Sequence, residues 1–254
     1  MTEIASTANT QVKQWRQLLQ PAGRRAHGLF LAEGEHLTRE ALNAGGALAL
    51  ILLKEESDRY NVWLDKGLPV YLVSRQVLSV LTDSKTPQAS LAVCRLPEAP
   101  PLSKAGPRLV ALNQLQDPGN VGTILRTMDA VKFDGLLIDR GCADPFSPKA
   151  LRASMGAVFR VPVYPCEDLE PALQLLPRYK IIAGDLKGSP YYAHPPFGGR
   201  VCILVGNEGA GVEERLLRLA DYRLKLPMPG GAESLNAAVS AALMMYDVLL
   251  RGGQ

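Results

Sequence analysis

Apolar and polar positions divide the chain into alternating helical and extended stretches. Val12, Trp15, Leu18 and Leu19 stand at helical spacing with Lys13 and Arg16 between them, and predict an amphipathic helix within residues 1–20. Residues 21–28, Pro-Ala-Gly-Arg-Arg-Ala-His-Gly, read as a basic turn. A strand is expected over 29–32, then a helix from Glu35 to Ala44 stopped by Gly45 and Gly46. Short apolar runs at 47–53, 70–73 and 91–95 read as strands, with helical stretches at 62–66 and after Ser74, a suitable N-cap. Strands alternating with helices predict an α/β layer domain.

Residues 97–107 contain four prolines and read as a semi-rigid linker. The expected division is 1–98, a linker at 99–107, and a second domain over 108–254. The alternation resumes there. Strands are expected at 108–112, 135–138, 179–183 and 200–206, and extended chain at 159–163. Helices are expected at 121–131, 150–155, 169–176 and 212–219. Val121, Ile124, Leu125, Met128 and Val131 form one apolar stripe. The last stretch begins as a short strand at 224–226. A turn with Pro227, Pro229, Gly230 and Gly231 follows, then a helix from about Ser234 to Arg251 that is apolar on nearly every side. Such a helix reads as buried all round, with Ser234 as its cap.

Composition narrows the class. The 254 residues are 47% hydrophobic, enough for one large domain or two modest ones. The net charge of +3 is too small to imply a nucleic-acid partner by itself. The four cysteines are widely separated, and the three histidines show no zinc-ligand spacing, so no metal is expected and a reducing, cytoplasmic setting fits. The N-terminus lacks signal-peptide character, and no apolar run reaches membrane length.

Three stretches carry candidate chemistry. In the first, 112–127, a strand ends in a Pro-Gly turn and Asn120 opens a helix. Gly122 and Arg126 lie off the apolar stripe, so an anion there would meet unpaired amides and a guanidinium. The plainer reading is a turn, a cap and a surface arginine. The second, Gly206-Asn207-Glu208-Gly209-Ala210-Gly211, follows a strand, where α/β folds bind ligands. Its GxxGxG spacing differs from the dinucleotide GxGxxG pattern, which disfavours a dinucleotide-dependent oxidoreductase, and Glu208 would repel a pyrophosphate. A ligand with hydroxyls or a positive centre suits it; a simple Gly-rich turn is the alternative. The third, Pro227 to Glu233, offers backbone donors and acceptors between Leu226, Met228 and Leu235, which suits an adenine. Without a ligand, the same stretch reads as the lead-in to a core helix.

Taken in order, these stretches resemble the SpoU/TrmH family of RNA 2′-O-ribose methyltransferases. The resemblance rests on Asn120, Gly122, Arg126 and Thr127, then Gly206, Glu208 and Gly211, then Pro227, Met228, Gly230, Ser234, Leu235 and Asn236. Residues 147–157 are similar to the family's stretch between motifs, and residues 30–42 to its accessory RNA-binding domain. Ala237-Ala238 stand where Val-Ser is usual, and Lys132 where the turn usually has Gly.

The resemblance implies a parallel-sheet SPOUT domain with a deep trefoil knot, preceded by a smaller α/β RNA-binding domain. It implies a homodimer through the C-terminal domain and S-adenosylmethionine as methyl donor. Gly206, Leu226, Leu235, Asn207 and Met228 would hold the cofactor. Arg126, Asn120, Ser234, Asn236 and Glu208 would serve catalysis. Lys13, Arg16, Arg24 and Arg25, with His27, form the expected RNA-binding cluster. Ribosomal RNA is the expected substrate. A tRNA substrate and a non-catalytic RNA-binding factor are the alternatives.

Overall fold

The structure, a computed structural model, describes residues 1–176 and 178–251. It divides into two compact units, one of Met1–Pro97 with Asp144–Phe159, the other of Glu98–Ala143 with Arg160 onward.

In the first unit the order is β1 (Thr2–Ile4), α1 (Thr10–Gln17), α2 (Pro21–His27), β2 (Leu29–Glu33), α3 (Glu35–Asn43) and β3 (Ala47–Leu53). After a 3-10 turn at Lys54–Tyr60 come α4 (Asn61–Leu64), β4 (Val70–Val73), α5 (Arg75–Ser79) and β5 (Ser90–Arg95). The sheet order is β1-β4-β3-β5-β2, with β5 antiparallel to both neighbours and the other pairs parallel. β3, with the sequence ALALILL, is buried along nearly its whole length, as a central strand covered on both faces must be. Asn9 caps α1 by accepting from the Gln11 amide at 2.8 Å, and Ser74 caps α5.

The expected basic turn is instead the helix α2. Pro21 fits its first turn without losing a hydrogen bond, and Gly28, left-handed at φ 64°, ends it. This turns Arg24 inward.

The second unit runs β6 (Arg108–Leu112), α6 (Pro118–Ala130) and β7 (Gly135–Asp139). The chain then forms α7 (Pro148–Ser154), which belongs to the first unit. It returns as β8 (Val163–Cys166), α8 (Leu169–Gln174), β9 (Lys180–Pro190), β10 (Val201–Val205), α9 (Glu214–Leu217), β11 (Tyr222–Lys225) and α10 (Ala237–Arg251). Six strands pair in the order β11-β9-β10-β6-β7-β8, all parallel. Leu169 and Leu173 of α8 and Leu216 and Leu217 of α9 pack on Leu109, Leu137, Cys202 and Leu204 of the sheet. The alternate residues Val110, Leu112, Ile203 and Val205 point to the opposite face and are buried as well. α10 packs against both α6 and β10.

Several expectations change in detail. The stretch 159–163 is a 3-10 turn at Ala157–Phe159 followed by β8, which starts only at Val163. β9 is eleven residues long, and α9 only four. The later part of the proline-rich stretch is packed: Ala105 is buried, and the Tyr179 hydroxyl donates to the Gly106 carbonyl at 2.6 Å. Lys132 adopts the left-handed φ of 55° that usually favours glycine.

The C-terminal helix starts at Ala237, not Ser234. Asn236 accepts from the Ala238 and Val239 amides at 2.9 and 3.2 Å, so it is the side chain that satisfies the first turn. Nor is α10 buried all round. Val239, Leu243, Tyr246 and Leu250 form one exposed apolar stripe, Leu250 at 75%.

The excursion Asp144–Phe159 has three kinds of anchor within the first unit. Phe146 and Phe159 lie 5.1 and 5.8 Å from Phe30, ring centre to ring centre. Arg152 meets Asp83 at 2.6 Å and Glu33 at 3.7 Å. Asp144 meets Arg24 at 2.7 Å.

Candidate cofactor and catalytic site

β9, β10 and β11 end side by side in a parallel sheet, and the loops beyond their carboxyl ends surround a cavity of about 290 Å³. Its wall includes Gly206, Asn207 and Glu208 after β10, Leu226, Met228, Ser234 and Leu235 after β11, and Asp185 within β9. The two later sequence motifs therefore meet at one cavity.

Local hydrogen bonding explains why the loop after β10 is shaped as it is. Asn207 and Gly211 exchange two backbone hydrogen bonds at 3.0 Å. The Asn207 carboxamide oxygen accepts from the Gly209 and Ala210 amides, and its NH2 donates to the Gln114 carbonyl at 2.9 Å. The two ends of the loop press so close that a Cβ at Gly206 would collide with the Gly211 carbonyl. Asn207 thus acts as a brace between two loops.

The first motif joins beneath the cavity through one relay. Asn236 commits its oxygen to the amides that open α10, which leaves its NH2 to donate to the Asn120 oxygen at 2.9 Å. The Asn120 NH2 in turn donates to Glu208 Oε1 at 3.0 Å. Glu208 also accepts from the Gln116 and Asp117 amides. Burial pushes the Glu208 carboxyl up, but the hydrogen bonds from Asn120 and the backbone amides outweigh it and hold the group below the ordinary range. One residue from each motif is therefore tied into a single chain. Asn120 and Asn236 do not themselves line the cavity.

Arg126 stands apart. It is exposed on α6, makes no hydrogen bond or ion pair among the described residues, and is absent from the cavity wall. Six residues separate it from Asn120, or about 9 Å along the helix axis.

A second network had no sequence signal beyond a polar residue closing the apolar strand β6. Asn113 is buried at 1% and donates to Asp139 and Glu213 at 2.8 and 3.0 Å, while accepting from the Glu213 amide. Asp139 and Glu213 also take hydrogen bonds from Gln114. Gln114 is held at a φ of 53°, and it is the Gln114 carbonyl that receives Asn207.

In the first unit, Lys13, Arg16 and Arg25 are exposed and carry no ion pair among the described residues. His27 bonds Gln17 at 2.8 Å. Arg24 does not belong with them. It is 1% exposed, pairs with Asp144, and donates to the Leu18 and Leu19 carbonyls at 2.8 and 3.0 Å. Its guanidinium closes the end of α1 and is unavailable to RNA.

The cavity's chemistry fits S-adenosylmethionine. Leu226, Met228 and Leu235 supply apolar walls; with Asp185 paired to Arg223, the carboxylates of Glu208 and Glu233 still outnumber the wall's cation, Lys225. That balance favours a ligand carrying positive charge. Among the described residues no cluster of three metal-ligating side chains occurs, and no helix is long and apolar enough to cross a membrane.

An all-parallel α/β unit with an apolar-walled cavity at its strand ends belongs to the class of α/β proteins that bind a ligand at the carboxyl ends of the sheet. Residues 107–246 match the SpoU rRNA Methylase family, and the chain belongs to that family. Residues 9–92 match the MRM3-like substrate binding domain. The chain is 38% identical to the 23S rRNA (guanosine(2553)-2′-O)-methyltransferase RlmP of Bacillus subtilis, over 99% of this chain and all of that one. An AdoMet-bound rRNA methyltransferase from Sinorhizobium meliloti superposes with a TM-score of 0.85 at 31% identity, covering 97% of each chain. The SpoU methyltransferase AviRb from Streptomyces viridochromogenes, also in complex with AdoMet, gives 0.86 at 25% identity, covering 95% of this chain and 97% of that one.

Proposed function

We propose that the protein transfers a methyl group from S-adenosylmethionine to a ribose 2′-hydroxyl of ribosomal RNA, of the 23S type. The observation that carries this reading is the relay Asn236–Asn120–Glu208, which ties the first family motif to the cavity where the other two meet. Full-length similarity to an enzyme named for 23S rRNA favours the ribosomal substrate over tRNA. The intact relay disfavours a non-catalytic factor.

When bound, S-adenosylmethionine supplies an electrophilic methyl group on a sulfonium. Gly206, Asn207, Leu226, Met228 and Leu235 would hold it, largely by backbone groups and apolar contact. Glu208 keeps the loop after β10 in register with the first motif. Asn120 and Asn236 orient the ribose indirectly, by holding Glu208 and the α10 start in register beneath the cavity, and Ser234 offers a hydroxyl at the cavity wall. Positioning of this kind supplies much of the acceleration of a methyl transfer. Arg126 is too basic to remove a proton itself. Its role is to grip the adjacent phosphate and stabilise the emerging alkoxide.

Arg126 lies outside the cavity wall of its own chain, so the reading needs a second protomer. The exposed stripe of Val239, Leu243, Tyr246 and Leu250 is the surface for it: α10 packs on α6, which carries Arg126. A homodimer through this helix buries the stripe and brings the cavity of one protomer towards Arg126 of the other. The unit around the six-stranded sheet, Glu98–Ala143 with Arg160 onward, carries the chemistry, threaded as the family's trefoil knot. Residues 1–98 dock structured RNA through Lys13, Arg16 and Arg25, and the protein works in the cytoplasm, where its four cysteines stay reduced.

The test is methylation of a 23S rRNA transcript with labelled S-adenosylmethionine, mapped by nucleotide. The position in RlmP's name, guanosine 2553, is the first to examine. Labelling confined to tRNA would move the substrate, and no labelling of any RNA would end the enzymatic reading. Replacing Lys13, Arg16 and Arg25 together should weaken RNA binding and flatten its salt dependence by about 2–3 units of log–log slope.

A further inference from the structure

We propose that Asp185 is the acceptor for the ribose hydroxyls of the cofactor's adenosyl group, and that a break in the sheet between β9 and β11 serves to place it. The inference rests on the reading of the cavity as the S-adenosylmethionine site.

β11 follows β9 with Tyr222 opposite Ile182 and Arg223 opposite Ala183, but Leu224 is opposite Ser189. Residues 184–188 therefore leave the ladder altogether. A parallel pair seldom gives up so many positions, and interruptions of this sort cluster where a strand must aim a side chain. The break falls at the carboxyl end of the strands, where α/β sheets open to ligands. Gly184, Asp185 and Leu186 line the cavity. Gly188 pins the far end beneath β11, since a Cβ there would strike the Arg223 carbonyl.

Within the break the Asp185 side chain is only 10% exposed. Its Oδ1 accepts from the Lys187 amide at 3.0 Å and its Oδ2 from Arg223 Nε at 2.8 Å. These contacts fix the plane of the carboxylate and leave one lone pair free on each oxygen. Arg223 already balances the charge, so Asp185 presents two aligned acceptors rather than a net field. A vicinal diol supplies two donors at matching spacing; a sulfonium supplies none. The other cavity carboxylates are differently placed. Glu208 is committed to Asn120 and two amides, and Glu233 is exposed.

Calorimetric titration of the purified full chain tests this with S-adenosylhomocysteine, S-adenosylmethionine and the 2′,3′-dideoxy form of S-adenosylhomocysteine. Asp185→Asn should weaken S-adenosylhomocysteine and S-adenosylmethionine alike, by about tenfold or more, the loss of charge-assisted hydrogen bonds. The dideoxy ligand should bind wild type and Asp185→Asn equally, because the partner of the carboxylate is gone. Arg223→Gln, which keeps the carboxylate, should lose less than Asp185→Asn. Additive losses from the substitution and the missing hydroxyls, or a loss confined to S-adenosylmethionine with its sulfonium, would overturn the role of Asp185. Wild-type protein that ignores all three ligands would instead overturn the cofactor reading beneath it.

Discussion

The basic helix α2 and the catalytic-motif helix α6 both carry arginines that look alike in one dimension, and they put them to opposite use. Arg24 of α2 is buried at 1%, paired with Asp144 and bonded to two carbonyls. Arg126 of α6 is exposed and unpaired among the described residues. A charge already satisfied inside its own chain holds structure together. A charge left unsatisfied on a rigid helix has its hydrogen-bonding capacity in reserve for a ligand. The difference lies in the partners, and partners come from distant parts of the chain: Asp144 is 120 residues from Arg24.

The sharpest way to break the comparison is to remove each arginine. Arg24→Ala leaves Asp144 without its partner and uncaps the end of α1. Breaking such a buried pair costs about 3–5 kcal/mol. The expected outcome is a large fall in melting temperature with methylation intact at low temperature. Stability within about 0.5 kcal/mol of wild type would show that Arg24 is not structural. Arg126→Ala should do the reverse. Its exposed side chain contributes nothing measurable to melting, while the methyl-transfer rate should fall about 10²–10³-fold, the usual loss for one stabilising donor. Cofactor affinity, read by calorimetry, should not move. Unchanged turnover in this variant would return Arg126 to the ordinary surface.

How much of this was open to reading from residues alone follows the same division. The alternating elements were legible, because apolar periodicity and glycine-rich turns are local signals; the parallel second unit and the meeting of the two later motifs at one pocket were implied only by the family resemblance. The stripe of α6 is buried as read, with Val121, Ile124, Leu125 and Met128 all at 0%. What escaped was long-range. Nothing near Arg24 announces Asp144. Nothing near Asn113 announces Glu213, 100 residues away. The first half of the eleven-residue β9 was read at 179–183, but its continuation escaped because it carries two glycines and two charges, Asp185 and Lys187, which read as a loop until β11 is placed beside it. The cap of α10 was misplaced for a subtler reason: Ser234 and Asn236 are both good caps, and the choice is made by Asn120, which takes the Asn236 NH2 once its oxygen is turned to the helix.

That choice gives the third prediction. Asn236→Ala removes a cap, worth about 1 kcal/mol. It also frees Asn120 from the relay. A melting temperature lowered by only a few degrees should accompany a rise of several-fold in the dissociation constant for S-adenosylhomocysteine. Asn236→Asp keeps the cap oxygens but has no NH2 to donate, so it should recover the stability and not the affinity. Recovery of both would mean that the relay is incidental to the cavity.

The smallest expected effect concerns acid, and it tests whether the relay acts through the charge on Glu208. Hydrogen bonds from Asn120 and the amides of Gln116 and Asp117 hold its carboxyl below the ordinary range. A carboxylate depressed in the folded protein stabilises it fully above its unfolded value, about 4.3 for glutamate, and loses that contribution as pH falls through the folded value. Affinity for S-adenosylhomocysteine should therefore stay flat from neutral pH down to the ordinary carboxylate range, and fall only below it. Glu208→Gln removes the charge at every pH and keeps one acceptor oxygen, so its affinity should start lower at neutral pH and lack this acid-dependent step. An identical fall in wild type and Glu208→Gln would assign the acid sensitivity to another group and leave Glu208 a neutral spacer between the first and second motifs. Arg126→Ala, whose side chain takes no part in the relay, should titrate as wild type does.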